Sequence, residues 1–190
     1  MCGIAGLIHR GKSSNVGEEL QHMLQALKHR GPDSTGYALY ADNDGQNFIL
    51  RFKVGENVGE GSTSVNEDES VYNERKKIVD KKLSELGALV VKEEKLTPYS
   101  YRYEIKFDKD LMEFSKAIES IQSVEILSIG KSLELIKDLG DATVVSERYG
   151  LSKLQGTHGI GHARMATESG VDIKSAHPFW GYPFADVSVV

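Results

Sequence analysis

The sequence predicts an α+β fold, and three observations predict it. Apolar residues recur at helical spacing in separate stretches: Leu20, Met23, Leu24 and Leu27 share one face, and Ile78, Val79, Leu83 and Leu86 another. Between them lie short strand-like runs bounded by turn signals, among them residues 46–54 and 99–107. The 190 residues are 39% hydrophobic and 27% charged, an ordinary globular balance that supports one good core or two small ones.

Residues 3–9 read as a short buried strand whose glycines allow close backbone approach. Residues 17–30 read as a helix, stopped by Gly31-Pro32-Asp33. Residues 36–41 alternate as a strand, 42–45 form a turn, and 46–54 a second strand, so this pair is expected to be a hairpin. Residues 55–69 lack periodicity and read as an exposed loop. The next stretch is expected to hold a helix over 72–86, strands over 88–91 and 99–107, and a helix over 111–121. A strand over 124–129 and a helix over 132–139 complete it. It reads as a compact α+β insert with split β-α-β character. Glycine-rich strand sequence resumes at 156–167, and the last residues, 187–190, form an apolar strand.

Net charge is −5 with acids and bases interspersed, which argues against a nucleic-acid surface. No apolar run approaches the roughly 20 residues of a membrane helix, and no basic and apolar leader opens the chain. The expected location is the cytoplasm. Two glycine clusters resemble phosphate loops and fail on detail. Gly130-Lys131-Ser132 lacks the glycine five residues earlier, where Glu125 stands, and 156–161 has its glycines in the wrong order for a dinucleotide fingerprint. His158 and His162 are four apart, a metal spacing only on a helix. The glycines around them argue for a strand or loop, so no metal site is expected.

Cys2 is the sole cysteine, which rules out an internal disulfide and a multi-cysteine metal site. Once Met1 is removed, the chain would start with a residue carrying both a thiol and a free α-amine. An α-amine with a reference pKa of about 7.7–8.0 can serve that thiol as its base near neutral pH. Arg164, in Gly161-His162-Ala163-Arg164-Met165-Ala166-Thr167, is suited to gripping a carboxylate with its planar fork, and Thr167 offers a hydroxyl to the same ligand. A structural arginine paired with an internal acid is the alternative from spacing alone.

Four motifs occur in one order: Cys2-Gly3-Ile4-Ala5-Gly6, His29-Arg30-Gly31-Pro32-Asp33-Ser34-Thr35-Gly36, the segment 161–167, and Ala176-His177-Pro178. Together they resemble the class II glutamine amidotransferases. The stretch between them includes Ser128-Ile129-Gly130 and Glu147-Arg148-Tyr149-Gly150. With segments 164–169 and 177–180, it resembles the separate amidotransferase subunit of archaeal-type glutamate synthases and their relatives, N-methylglutamate synthase included.

The resemblance implies the four-layer αββα sandwich of N-terminal-nucleophile hydrolases. It also implies glutamine hydrolysis to glutamate and ammonia through a Cys2 thioester, with ammonia delivered to a synthase partner. Arg164 would bind the substrate α-carboxylate, Thr167 would hold the amino-acid end, and His177 would line the pocket. Arg30 and Asp33 would brace the site. Met165 stands where the family often has tryptophan or phenylalanine, a difference that bears on gating. The implied domains are 1–54 and 150–190 for the amidotransferase part and 68–140 for an insert with a docking or regulatory role. No cofactor is expected in this chain; flavin and iron–sulfur centres belong to partner subunits in the resembled family. That family continues past its last matching strand with an Asn-Gly oxyanion pair, so the sandwich is expected to be incomplete here and the chain inactive alone. The competing readings are a bile-salt-hydrolase-like amide hydrolase, which lacks the 164–167 and 177–178 signatures, and a non-catalytic docking module.

Overall fold

The computed structural model describes residues 2–31, 33–43, 45–55, 67–165 and 173–190. Its elements run β1 (Gly3–Ile8), α1 (Val16–Ala26), β2 (Ser34–Ala41), β3 (Phe48–Lys53), α2 (Glu69–Leu86), β4 (Leu89–Thr97) and β5 (Ser100–Lys106). They continue with α3 (Leu111–Glu119), β6 (Glu125–Gly130), β7 (Leu133–Leu139), α4 (Ala142–Tyr149), β8 (Gly156–Arg164), β9 (Phe179–Trp180) and β10 (Ser188–Val189). Two four-stranded sheets carry the fold, ordered β1-β8-β2-β7 and β4-β5-β3-β6, and every pairing in them is antiparallel. Each sheet is flanked by helices, an arrangement consistent with an αββα sandwich of the N-terminal-nucleophile hydrolase kind. Among the described residues no helix is long and apolar enough to cross a membrane.

Three of the helices, α2, α3 and α4, start where a side chain satisfies open backbone N–H groups of the first turn. Asp68 accepts from Ser70, Asp110 from Glu113, and Asp141 from both Thr143 and Val144. Each sheet then buries one face under its own helices. Leu20 and Leu24 of α1 and Val145 and Tyr149 of α4 pack on Ala5, Tyr37, Ile136 and Ala163. Tyr72, Val79 and Leu83 of α2, with Phe114 and Ile118 of α3, pack on Leu50, Phe52, Tyr101, Tyr103 and Ile129. Two apolar cores result, one per sheet.

The sheets meet along β7, which packs on β3 and β6, and that seam is polar. Glu134 accepts from Arg51 at 2.5 and 2.8 Å and from Arg102 at 2.9 Å through both oxygens. Glu125 lies 3.0 Å from Lys53 and 3.3 Å from Lys137. Asp138 accepts from Tyr99 at 2.7 Å, Tyr149 at 3.1 Å and Arg148 at 2.7 Å.

Several expectations change. The strands at 36–41 and 46–54 are not a hairpin: β2 pairs with β7 and β8, and β3 pairs with β5 and β6. The turn between them carries the chain from one sheet to the other. Residues 133–139 form a strand, not a helix. Glu134, Lys137 and Asp138, which look like a solvated helix face, are buried partners in the polar seam. β4 runs to Thr97, well past residue 91; its lysines and glutamates suit an edge strand. β1 is buried on one face only, with Ile4 58% and Ile8 74% exposed. The expected loop at 55–69 lies mostly outside the described residues. Sheet membership also crosses the ranges read from the sequence: β3, from 1–54, pairs within the second sheet, and β7, from 68–140, pairs within the first.

Candidate active site

Antiparallel register aligns the first sheet row by row. Gly3 pairs with Ala163, Ala163 with Thr35, and Thr35 with Asp138. One residue further along, Arg164 pairs with Ser34 and Ser34 with Leu139, and Cys2 is the next position on the β1 side. A parallel row two residues away holds Ile4, His162, Gly36 and Lys137. Alternation puts both rows on the same face, opposite the face that packs on α1 and α4. Cys2, Arg164, Ser34, His162 and Lys137 thus share one end of one sheet surface. Cys2 is exposed, while Arg164 is buried at the end of β8.

The 28–33 turn buttresses this end. Residues Lys28–Arg30 form a short 3-10 turn. A side chain at Gly31 would strike the backbone of Ala163 and Arg164 at 2.4–2.8 Å, so the chain there lies directly against the end of β8. Asp33 donates its N–H to the Arg164 carbonyl at 3.2 Å, and its own carbonyl accepts from Gly140 at 3.0 Å. Arg30 sits beside Gly3, whose added Cβ would lie 3.5 Å from the Arg30 Cβ.

The His177 segment closes over β2. The His177 carbonyl would lie 2.0 Å from a Cβ at Gly36, so only glycine admits it. The His177 ring lies tilted against His162 with centroids 4.8 Å apart and meets Phe179 edge to face at 4.7 Å. Lys137 Nζ sits 4.6 Å from the Phe179 centroid. Burial pushes His162 down to about 4, helped by His177 and Arg164. Burial also lowers His177, with Lys137 and Arg164 adding to the effect. Both imidazoles are therefore neutral at pH 7, and the charge of the site comes from Arg164 and Lys137. Among the described residues, three buried polar atoms here have no hydrogen-bond partner: Ser34 Oγ, His162 Nδ1 and His177 Nδ1. Buried polar groups left open in this way are unusual and suit a surface that receives a polar ligand.

Of the residues expected at a site, Cys2, Arg164, Arg30, Asp33 and His177 gather at this end of the sheet. Thr167 lies outside the described residues. Sequence reasoning missed Ser34, His162 and Lys137. Ser34 stands in the 29–36 motif, and His162 is two residues before Arg164, the spacing that shares a strand face. Lys137 was hidden because its segment read as a helix. No metal-holding group of three or more His, Cys, Asp or Glu occurs among the described residues. His158 lies on β8, stacked on Tyr40 with centroids 4.0 Å apart.

Residues 1–48 match the family described as "Glutamine amidotransferase domain". The chain is 35% identical over its whole length to a protein of Methanothermobacter thermautotrophicus described provisionally as a glutamine amidotransferase, and covers 60% of it. It is 30% identical over 94% of its length to the glutamine amidotransferase-like protein GlxB of Rhizobium meliloti, and covers 54% of that protein. A shorter similarity, 38% identity over 56 residues, links 30% of the chain to 9% of a glutamine–fructose-6-phosphate aminotransferase of Pyrobaculum aerophilum. The chain therefore spans somewhat over half the length of the first two relatives.

Proposed function

We propose, from the premise that the chain is a class II glutamine-amidotransferase-like protein with an N-terminal cysteine, that it is the glutamine-hydrolysing part of such an enzyme. The observation that supports this reading is the register of Gly3 on Ala163, which makes Cys2 and Arg164 the next positions along neighbouring strands at one end of the first sheet. The Cys2 thiol gives its proton to the α-amine, directly or through one water. The thiolate attacks the side-chain amide carbon of glutamine. The tetrahedral adduct collapses when its nitrogen takes that proton, and ammonia leaves behind a thioester. Water then adds to the thioester, and glutamate departs as the thiol reforms. Arg164 holds the substrate α-carboxylate with its fork, Thr167 contributes a hydroxyl at the amino-acid end, and His177 forms the pocket wall. Arg30 and Asp33 act as braces. Arg164, beside two neutral imidazoles, supplies the cationic group that a carboxylate requires.

The ammonia passes to a glutamate-synthase-type partner in this reading, with an N-methylglutamate-synthase-type partner as the variant. The layer of β3–β6, α2 and α3 is the docking or regulatory element. Any flavin resides in the partner.

The test uses the intact protein with a removable N-terminal tag. Glutamine hydrolysis should be absent with the tag in place, because acylation removes the amine base, and should appear when cleavage exposes Cys2, as verified by intact mass. Full turnover with the tag retained would sink the mechanism. Inactivity of both forms together with Arg164-independent behaviour would favour the docking-module reading.

A further inference from the structure

The far end of the same sheet holds a cavity of about 370 Å³. It opens where the end of β2 and the α4 terminus face β4 and β5. Ser34 and Ala41 are the two ends of β2, so this cavity lies about 23 Å from the Arg164 row at roughly 3.3 Å per residue. Its charged lining comprises Arg51, Lys92, Arg102 and Lys153 against Asp42, Glu94 and Glu134, one positive charge in excess. The chain as a whole carries −5. A cationic cleft on an acidic chain is a local feature and not a reflection of composition.

The floor is the buried Arg51–Glu134–Arg102 triad. Glu134 is 1% exposed, Arg51 4% and Arg102 13%, so two guanidinium groups share one fully buried carboxylate. Glu94 is a further acid beside Arg102, but it stands 3.7 Å from Arg102 Nη1, beyond hydrogen-bonding range, and is itself paired with Lys92. Lys153, on the rim, has no ion-pair partner among the described residues. The cleft thus offers Lys153 without a counter-charge among the described residues, Lys92 shared with Glu94, and below them a guanidinium that shares the Glu134 carboxylate with Arg51. Point-charge ammonium groups with an arginine fork suit a tetrahedral oxyanion. The volume exceeds what a bare oxyanion fills, and Leu96 and Leu154 supply an apolar wall for an organic portion.

We propose that this cleft binds a small phosphate-bearing molecule, its phosphate received by Lys92, Arg102 and Lys153. The site shares no residue with the Cys2 surface, so the proposal does not rest on the glutamine reading.

Binding is read on the intact protein by calorimetry and by amide shifts, with inorganic phosphate and phenyl phosphate as probes and sodium chloride at matched ionic strength as the control. Saturable binding should shift amides within 92–96 and 150–155. Lys92→Ala and Lys153→Ala should each weaken it about fivefold, the loss of one partly exposed charge contact. Lys81→Ala, at an exposed position on α2, should change nothing. Glu94→Gln should tighten binding, since it removes the competing carboxylate. Tighter binding of phenyl phosphate supports an organic phosphate as the occupant, and equal binding supports free phosphate. The absence of saturation, shifts confined to other regions, or full affinity in the Lys92→Ala, Lys153→Ala double variant would overturn the proposal. Neither lysine substitution removes a member of the buried triad, so loss of binding is separable from loss of fold.

Discussion

At the scale of single residues, Arg164 carries the sharpest prediction. Lysine keeps its charge but loses the bidentate fork. Arg164→Lys should lower kcat/KM for glutamine by about 30- to 1000-fold, equivalent to about 2–4 kcal/mol, with folding retained. If the variant unfolds instead, the arginine is a structural member of the sheet end. His162 makes a second prediction, concerning stability. Its folded value of about 4 lies below the usual 6.5, so the unfolded chain takes up its proton first as pH falls. The stability it confers is complete above the unfolded value and is lost as pH falls through the folded one. Between pH 7 and pH 5 that loss should be about 2 kcal/mol. Denaturant midpoints of the wild type and His162→Asn at the two pH values test this. A wild-type midpoint with the same pH dependence as the variant's would show that the ring is not buried neutral.

At the scale of elements, β7 shows why a strand can be written like a helix. Apolar residues at 133, 135, 136 and 139 fit a helical stripe, and the acids and lysine between them fit a wet face. Tertiary ion pairing to β3, β5 and β6 decides otherwise, and that pairing leaves no local mark. The helices at 16–26, 69–86 and 111–119 were legible because their apolar stripes are local. Strands β2, β3, β5 and β6 were legible as strands, but their partners were not. Cys2, Arg164 and His177 were legible through motifs. Ser34 and Lys137 depend on register, which only the folded sheet supplies. Glu134 ties this to energy. Burial pushes its carboxyl up, but Arg51 and Arg102 outweigh that and hold it down at about 2. Its stabilising effect is therefore present above about pH 4.5 and lost as pH falls toward 2. Glu134→Gln leaves two buried guanidinium groups without their counter-ion and should destabilise the protein by about 3–5 kcal/mol, measurable by urea unfolding. An unchanged midpoint would mean that other acids neutralise the pair. Gly36→Ala tests another element. The new methyl group must displace the 176–178 segment, and glutamine turnover should fall about tenfold or more. Unchanged kinetics would exclude His177 from the pocket wall.

At the scale of the whole molecule, two apolar cores are joined by a polar seam. Apolar burial accounts for cohesion within each layer, and buried charge pairs tie β7 to β3, β5 and β6 across the seam. Combining Glu134→Gln with Lys137→Met should therefore loosen the layers from one another before either melts. Calorimetry should split one heat absorption into two, with the β3–β6 layer and the β1–β8 layer unfolding separately. A single transition at lower temperature would show that the layers remain coupled through other contacts.

The register of β8 has a consequence in time. β1 and β2 do not pair with each other; both pair with β8, and Gly3 meets Ala163 about 160 residues later. Strands β3 to β6, by contrast, pair within one continuous stretch of chain. During synthesis the nucleophile strand must wait, with its hydrogen-bonding edge open, until residues 156–164 have emerged and inserted between β1 and β2. Loop closure of that length slows folding and exposes the waiting edges to other chains. Pulse-labelled hydrogen exchange during refolding should protect amides of β3, β5 and β6 first and those of β1 last. The order of protection would follow the order of chain closure, and a ribosome-bound chain ending before residue 156 should have a formed second layer and no assembled site.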